Sequence, residues 1–275
     1  DDIRNDYQKM PQITASWRGA QNWGGVEPIL LTQLSHFDSD SKRVTGERLY
    51  LEAGLTMPNR WVAGYLTPTV KYRAVSYELD NDPILQDDAP SAGSLMASID
   101  GGLVFERQTS LAGVSMTQTL EPRAFYLYSA YEDQSGHPDF DSAELTFSYD
   151  QLYRDTRFSG HDRIDDANQL ALGVTTRFID NQTGNETLSA SIGQIFYFRD
   201  REVRLNRIDP DLTEATSAIA AEFNWSPSSV WQLRSSLLYD ANDNNFDAAY
   251  AQASFMPGDG KIFNLGYTLR EPPPS

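Results

Sequence analysis

The chain contains no cysteine, so disulfide scaffolds and thiolate metal sites are excluded and the redox compartment is unreadable. It is also short of basic residues. Against 39 acidic side chains stand 22 basic ones, a net charge of -17. Phosphate backbones are gripped by clustered Lys and Arg, so nucleic acid is a poor partner. No apolar run approaches the ~18 residues of a membrane-spanning helix, and the mean hydropathy is -0.50. A β-barrel escapes that test, because half of every strand faces a polar interior. Helical periodicity and a fixed-length repeat are both missing.

What is present is an alternation of apolar and polar residues that restarts about a dozen times over 275 residues. Leu49, Leu51, Ala53, Leu55 and Met57 alternate with Arg48, Tyr50, Glu52, Gly54 and Thr56. Ala143, Leu145, Phe147 and Tyr149 alternate with Ser142, Glu144, Thr146, Ser148 and Asp150. Successive side chains of a strand point to opposite faces, so each run has one greasy and one wet face. Strand-like runs fall near 11-18, 26-37, 45-57, 61-77, 94-107, 116-129, 142-150, 167-179, 186-199, 214-226, 229-240, 246-256 and 261-269. Most reach the ~9-11 residues of a tilted membrane strand.

The connections are of two kinds. Pro58-Asn59-Arg60, 108-115, 180-185, Ser226-Pro227-Ser228 and Pro257-Gly258-Asp259-Gly260 read as short turns. Stretches 78-93, 130-141, 150-166 and 200-213 are long and acidic. In an up-and-down barrel, short and long connections alternate. The order fails only at 142-150. Removing that run restores it, and 130-166 becomes one large outer or luminal excursion carrying a hairpin arm. The expected fold is all-β, an antiparallel transmembrane barrel segment of about 12 spanning strands with long outer loops and short periplasmic turns. The opening Asp1-Asp6 is no signal peptide, and Glu271-Ser275 lacks the residues of a closing strand, so a fragment of a single barrel domain is expected.

One face of several strands is free of charge. Leu95, Ala97, Ile99, Gly101, Leu103 and Phe105 share a face, with Asp100 and Glu106 opposite. Leu170, Leu172, Val174 and Phe178 oppose Gln169, Thr175 and Arg177. Charge is expensive on a lipid-facing wall, and the small residues on these faces suit lipid better than a packed core. Trp225 and Trp231 beside a tight turn, and Tyr126, Tyr128 and Tyr131 at another strand's far end, read as aromatic girdles. Thr119, Glu121, Arg123, Gln169, Thr175 and Arg177 are then candidates to face the lumen. Glu121 and Arg123, two residues apart, are expected to pair there.

The signals for chemistry are weak. His137 and His161 lie near Asp139 and Asp162, but loops this rich in Asp place one near any His by chance. A calcium loop over Asp240, Asn242, Asn244 and Asp247 fails, since its sixth and twelfth positions are Asn245 and Ala251. No cofactor, metal site or catalytic residue is expected.

The run Thr117-Gln118-Thr119-Leu120-Glu121-Pro122-Arg123, followed by Tyr126-Leu127-Tyr128, resembles the barrel domain of the LptD family of lipopolysaccharide-assembly proteins. The resemblance continues in Asp133-Gln134-Ser135, Phe140-Asp141-Ser142, Tyr149-Asp150, Arg154-Asp155 and Gly160-His161-Asp162-Arg163-Ile164. Ala167-Asn168-Gln169, Gly173-Val174-Thr175 and Ser191-Ile192-Gly193-Gln194-Ile195-Phe196-Tyr197-Phe198 extend it. It implies a large outer-membrane barrel of Gram-negative bacteria, plugged by the lipoprotein LptE. Such a barrel receives lipopolysaccharide from a periplasmic bridge protein through a jellyroll domain and releases it through a lateral gate, without covalent chemistry. This chain has neither the jellyroll nor the family's cysteines, so a central stretch of wall is expected, with the gate outside it. Asp133, Gln134, Arg154, Asp162 and Arg163 are the implied candidates for contact with the plug. A passive porin-like channel and an outer-membrane hydrolase using the loop histidines are the alternative readings.

Overall fold

The computed structural model describes residues 7-20, 24-39, 44-80, 87-205 and 212-270. Both chain ends discussed above, and 81-86 and 206-211 of the long connections, lie outside them. The dominant element is one antiparallel sheet. Its path begins β1 (Gln8–Arg18), β2 (Glu27–Asp38), β3 (Thr45–Thr56), β5 (Gly64–Asp80), β6 (Ser91–Leu103) and β8 (Val114–Ser129). It continues through β11 (Ala167–Asp180), β12 (Glu186–Tyr197), β13 (Ile219–Ser228), β14 (Trp231–Asp240), β15 (Asn245–Gly258) and β16 (Lys261–Arg270). Twelve strands therefore form the wall, as the alternation of connections requires. Two short pieces prolong their neighbours: β4 (Asn59–Trp61) pairs β5, and β7 (Phe105–Leu111) pairs β8. Path strands run from 10 to 17 residues, long enough to cross a bilayer at a tilt. Among the described residues, no helix is long and apolar enough to cross a membrane.

Two reversals sit further along the chain than their turn residues suggest, and a third is tighter than expected. Pro58 interrupts β3 but does not turn it. Met57 N–H still reaches the Pro68 carbonyl at 3.0 Å, and Asn59–Trp61 goes on pairing with Gly64–Leu66, so the reversal falls at Val62 and Ala63. A proline removes one donor from a ladder, and at such an irregularity the strand continues past it. Likewise β13 runs through Pro227 to Ser228, where it still pairs with Trp231. In 108-115 the turn is only Ala112-Gly113, both with positive φ (50° and 82°), as the tightest hairpins demand.

Residues 142-150 do not join the large sheet. Ala143–Glu144 (β9) pairs with Phe158–Ser159 (β10), and the chain then coils into a 3-10 turn, Tyr149–Tyr153. The whole of 130-166 lies across one face of β2–β12. Phe140 and Ile164 pack with Phe37, Tyr50, Val75, Tyr77 and Leu79 of the wall. Leu152 packs with Met96, Phe125, Leu127, Ala171 and Ile195.

The buried face is the one that carries the charges. In β3, Arg48 is 0 % exposed and Tyr50 4 %, while Leu49 and Leu55 are 48 % and 54 % exposed. In β8, Thr119 and Leu127 are buried, and Leu120, Tyr126 and Tyr128 stand bare. Leu66, Val70, Tyr72, Leu95, Ile99, Leu103, Leu172 and Ile192 extend the bare apolar surface across neighbouring strands. Trp61, Phe105, Trp225 and Trp231 are exposed at its short-turn end, and Tyr126, Tyr128 and Tyr131 toward the other. A water-soluble monomer rarely exposes a contiguous apolar patch beyond a few hundred Å². Lipid is the solvent in which this arrangement is stable.

Candidate functional site

The excursion is held to the wall by ionic anchors rising from the polar positions of successive strands. On β3, Arg48 Nη1 donates to Asp141 Oδ1 and to Asp162 Oδ1, each at 2.6 Å, and Nη2 donates to Gln33 Oε1 at 3.0 Å. The far oxygen of Asp162 accepts from the Phe140 and Asp141 N–H groups (3.0 and 2.9 Å) and from Ser142 Oγ (3.1 Å). Tyr77 Oη donates to its near oxygen at 3.1 Å. One fully buried carboxylate thus ties a β5 tyrosine and the excursion backbone to Arg48. Phe37 and Phe140 stack at 4.3 Å beneath, and the Arg48 guanidinium lies 4.8 Å above the Phe37 ring. Arg48 and Lys9, the latter 2.8 Å from Asp141, hold that carboxyl far below the usual carboxylate range.

The second anchor is on β5. Lys71 Nζ and Arg73 Nη2 each lie 2.8 Å from Asp155 of the excursion, and Glu52 of β3 completes the quartet at 2.9 and 2.7 Å. These two cations hold Asp155 at a pKa of about 2. On β8, Arg123 grips Asp100 of β6 with two bonds of 2.9 and 2.8 Å and stacks 3.8 Å from the Tyr153 ring. The 3-10 turn can approach this closely because the wall beneath it is glycine. A Cβ on Gly173 would strike the Tyr153 hydroxyl and stand 2.9 Å from that of Tyr149, and one on Gly193 would lie 2.6 Å from Leu152.

The last anchors tie the excursion to the 198-218 connection. Arg157 Nη2, held by Asp165 at 2.7 Å, donates to the Val203 carbonyl at 3.1 Å, and Asp166 accepts from the Glu202 and Val203 N–H groups at 3.0 Å each. Arg163 donates to the carbonyls of Pro138, Arg204 and Leu205, each at 2.8 Å.

The residues singled out from the sequence divide accordingly. Thr119 donates to Glu121 at 2.7 Å, and Glu121 pairs with Arg177 (3.2 Å), not with Arg123, whose partner is Asp100. Both pairs are diagonal across neighbouring strands, since Arg177 stands opposite Thr119 and Asp100 opposite Phe125, a separation that long side chains span. Arg177 reaches on to Glu186 at 2.7 Å. Thr175 shares hydrogen bonds with Tyr149 (3.1 Å) and Ser191 (2.9 Å), and Gln169 is buried. Gln134 is consumed by both backbone groups of Ile164 at 2.8 Å, as Asp162 and Arg163 are consumed by their own fold. Asp133 and Arg154 alone of that set remain exposed.

The histidines are packing residues. His161 stacks on Tyr50 at 4.0 Å, and His137 sits edge-on to Tyr77 at 5.2 Å; burial lowers both pKa values. Arg48, Arg73, Asp141 and Asp155 carry the anchoring. Their signal in the sequence is charge recurring on one face of a strand (Arg48 and Glu52, Lys71 and Arg73), opposite a face whose charges, Glu47, Glu78 and Asp80, sit only near the strand ends.

A long antiparallel sheet with a bare apolar face, and a charged face covered by the chain's own loop, is the wall of a membrane β-barrel. The chain belongs to the LptD family: the family model described as "LPS transport system D" matches residues 2-275. It is 36% identical to the LPS-assembly protein LptD of Pseudomonas aeruginosa (strain LESB58), with 96% of this chain and 34% of the relative covered. It is 37% identical to that of Nitrosococcus oceani, covering 96% and 36%. It is 39% identical to that of Xanthomonas campestris pv. campestris (strain 8004), covering 82% and 29%. The chain therefore spans about a third of the length of these relatives.

Proposed function

We propose that this chain is a stretch of barrel wall in an outer-membrane protein that moves lipopolysaccharide to the cell surface. The bare face meets lipid and the charged face lines the lumen, with Thr119, Glu121, Arg123, Gln169, Thr175 and Arg177 on the inner side. Residues 130-166 lie inside the barrel as a plug built from the wall's own chain. The observation that carries this reading is the reversed burial, in which Arg48 is sunk while Leu49 and Leu55 are bare. It is supported by the relatives, each named an LPS-assembly protein. The partners are lipopolysaccharide, an LptE-like lipoprotein that the exposed Asp133 and Arg154 are placed to meet, and a periplasmic bridge protein acting through a domain outside this chain. The role is transport without covalent chemistry.

Depletion of the full-length parent protein, followed by labelling of lipopolysaccharide on intact cells, tests the reading. Surface lipopolysaccharide is expected to fall as the protein is lost. Normal surface levels after full depletion would overturn it.

A further inference from the structure

The short-turn rim of the wall has a step in it. β5 ends beside β6 with Gly64 opposite Leu103, and the last bond between them runs from the Val104 N–H to the Ala63 carbonyl at 2.8 Å. There Val62 and Ala63 turn the chain, and Trp61 pairs with Gly64 instead of standing beside β7. β7 runs on for 7 residues, Phe105–Leu111, with β8 as its sole partner strand among the described residues. That is about 23 Å of strand with one edge open, at roughly 3.3 Å per residue. Backbone groups alternate between the two edges of a strand. Leu111 and Val114 close the two-residue turn, so Leu111, Thr109, Arg107 and Phe105 bond to β8. Val104 bonds on the β5 side, so Glu106, Gln108 and Ser110 turn their N–H and carbonyl groups to the open edge.

The open edge stands in water. Phe105 belongs to the aromatic girdle, and Arg107 follows it on the same face. A cation on that face is cheap only past the hydrocarbon. Glu106 and Arg107 are exposed, and among the described residues neither is ion-paired; Arg107 Nε donates to the Gln118 amide oxygen at 2.7 Å. Edges that stay open are commonly blunted by lysine, proline or a bulge. β7 has no lysine or proline and keeps one register along its whole length. We propose that an extended segment of the parent polypeptide, from the part outside this chain, adds to β7 as a strand, bonding to the backbone of Glu106, Gln108 and Ser110. Opposite charges set beside Glu106 and Arg107 fix its register. The occupant belongs to the same polypeptide because three residues, with one donor and one acceptor each, barely offset the freedom that a diffusing partner gives up. A tethered strand gives up far less. The matched relatives have the length to supply one, since this chain spans 34% and 36% of two of them. The proposal rests on the barrel-wall reading for the edge's place outside lipid.

The test is hydrogen exchange at single amides of the purified full-length parent in detergent, with no partner added. Glu106, Gln108 and Ser110 are expected to exchange as slowly as Arg107 and Thr109, which bond to β8. Free exchange at those three amides would overturn the proposal. Ser110→Pro removes an edge donor and no bond to β8, a change that edge strands tolerate. It should speed exchange at Glu106 and Gln108 about tenfold, the scale of one lost backbone bond, and leave Arg107 and Thr109 unchanged. Protection at Glu106 and Gln108 that survives Ser110→Pro would also overturn the proposal. A photocrosslinking side chain in place of the exposed Glu106 gives a second measurement, independent of how the proline is accommodated. In intact cells it should join β7 to a peptide of the same polypeptide outside these 275 residues, without adding the mass of a second protein. A crosslink to another protein or to a second copy, or no crosslink, would overturn the assignment. Neither measurement reads the cargo, so an open edge and a failed transport reading are distinguishable.

Discussion

The wall behaves differently on its two sides. From β2 to β12 the polar positions carry Arg48, Glu52, Lys71, Arg73, Asp100 and Arg123, and the excursion or a cross-strand partner meets every one. From β13 to β16 the same face presents Asn224, Gln232, Ser236, Gln252, Ser254 and Asn264 beside only two mid-strand charges, Glu222 and Arg234, and none of the ion pairs described above reaches it. The excursion's 3-10 turn touches β13 but goes no further, and between Thr146–Tyr149 and β14–β16 a gap of about 280 Å³ remains. Ion-paired charge on the polar face therefore marks where the chain docks its own excursion. Neutral polar groups mark where the wall is left wet, since they need no partner beyond water.

The sharpest way to break this comparison is to remove one cation from each side. Arg48→Met leaves the buried Asp162 without its counter-charge, and such a broken pair costs about 3–5 kcal/mol. Hydrogen exchange of amides 139-164 in the full-length protein should accelerate strongly. Arg234→Met on the exposed polar face of β14 should stay within about 0.5 kcal/mol, as surface substitutions do. Equal effects at the two positions would erase the distinction between docked and wet halves.

The next test compares the two faces of the wall. Leu120→Arg places a cation midway along the bare face of β8, where lipid exposure costs about 2–4 kcal/mol at the bilayer midplane. Gln252→Arg, on the polar face of β15, is expected to fold as well as the parent. Urea unfolding in vesicles measures both. Tolerance of Leu120→Arg would deny that the bare face meets lipid.

How much of this was legible in the sequence depends on range. The alternation of residues 48-57 reveals a strand and its two faces because both are local properties. The twelve-strand count follows from the alternation of short and long connections, which is a rule of topology. The neat alternation of 142-150 misleads, since period two reports an extended chain and not its partner. Leu145, Phe147 and Tyr149 line cavities and pack under the wall without spanning it. The anchors were hidden for a different reason. Arg48 meets carboxylates 93 and 114 residues away, and only the folded register joins them. Yet Phe140-Asp141-Ser142, Arg154-Asp155 and Gly160-Ile164, the runs that carry the family resemblance within the excursion, contain Asp141, Asp155 and Asp162. The resemblance had already picked out the docking segment without saying what it docks to.

The smallest expected effect concerns the pH at which the covered half lets go. Docking holds Asp155 at a pKa of about 2, below its ordinary value. Its contribution is therefore complete above about pH 4 and is lost as pH falls through 2, about 2 kcal/mol for a shift of this size. Asp141, also depressed, has the same sign. Asp139 has the opposite sign: burial and the nearby Asp162 raise it to about 6, so its contribution is full below about pH 4 and fades as pH rises through 6. The lowered His137 and His161 favour docking above about 6.5 and lose that effect below it, so they oppose Asp139 in the intermediate range. Only the acid limb below pH 4 is free of this compensation. Pepsin cleavage within 130-166 of the full-length protein in detergent should accelerate between pH 4 and 2. In Asp155→Asn that acceleration should be flatter, from a faster starting rate. Identical profiles for the two proteins would show that Asp155 does not couple docking to protons, while β13–β16, with no excursion to release, should show no such limb.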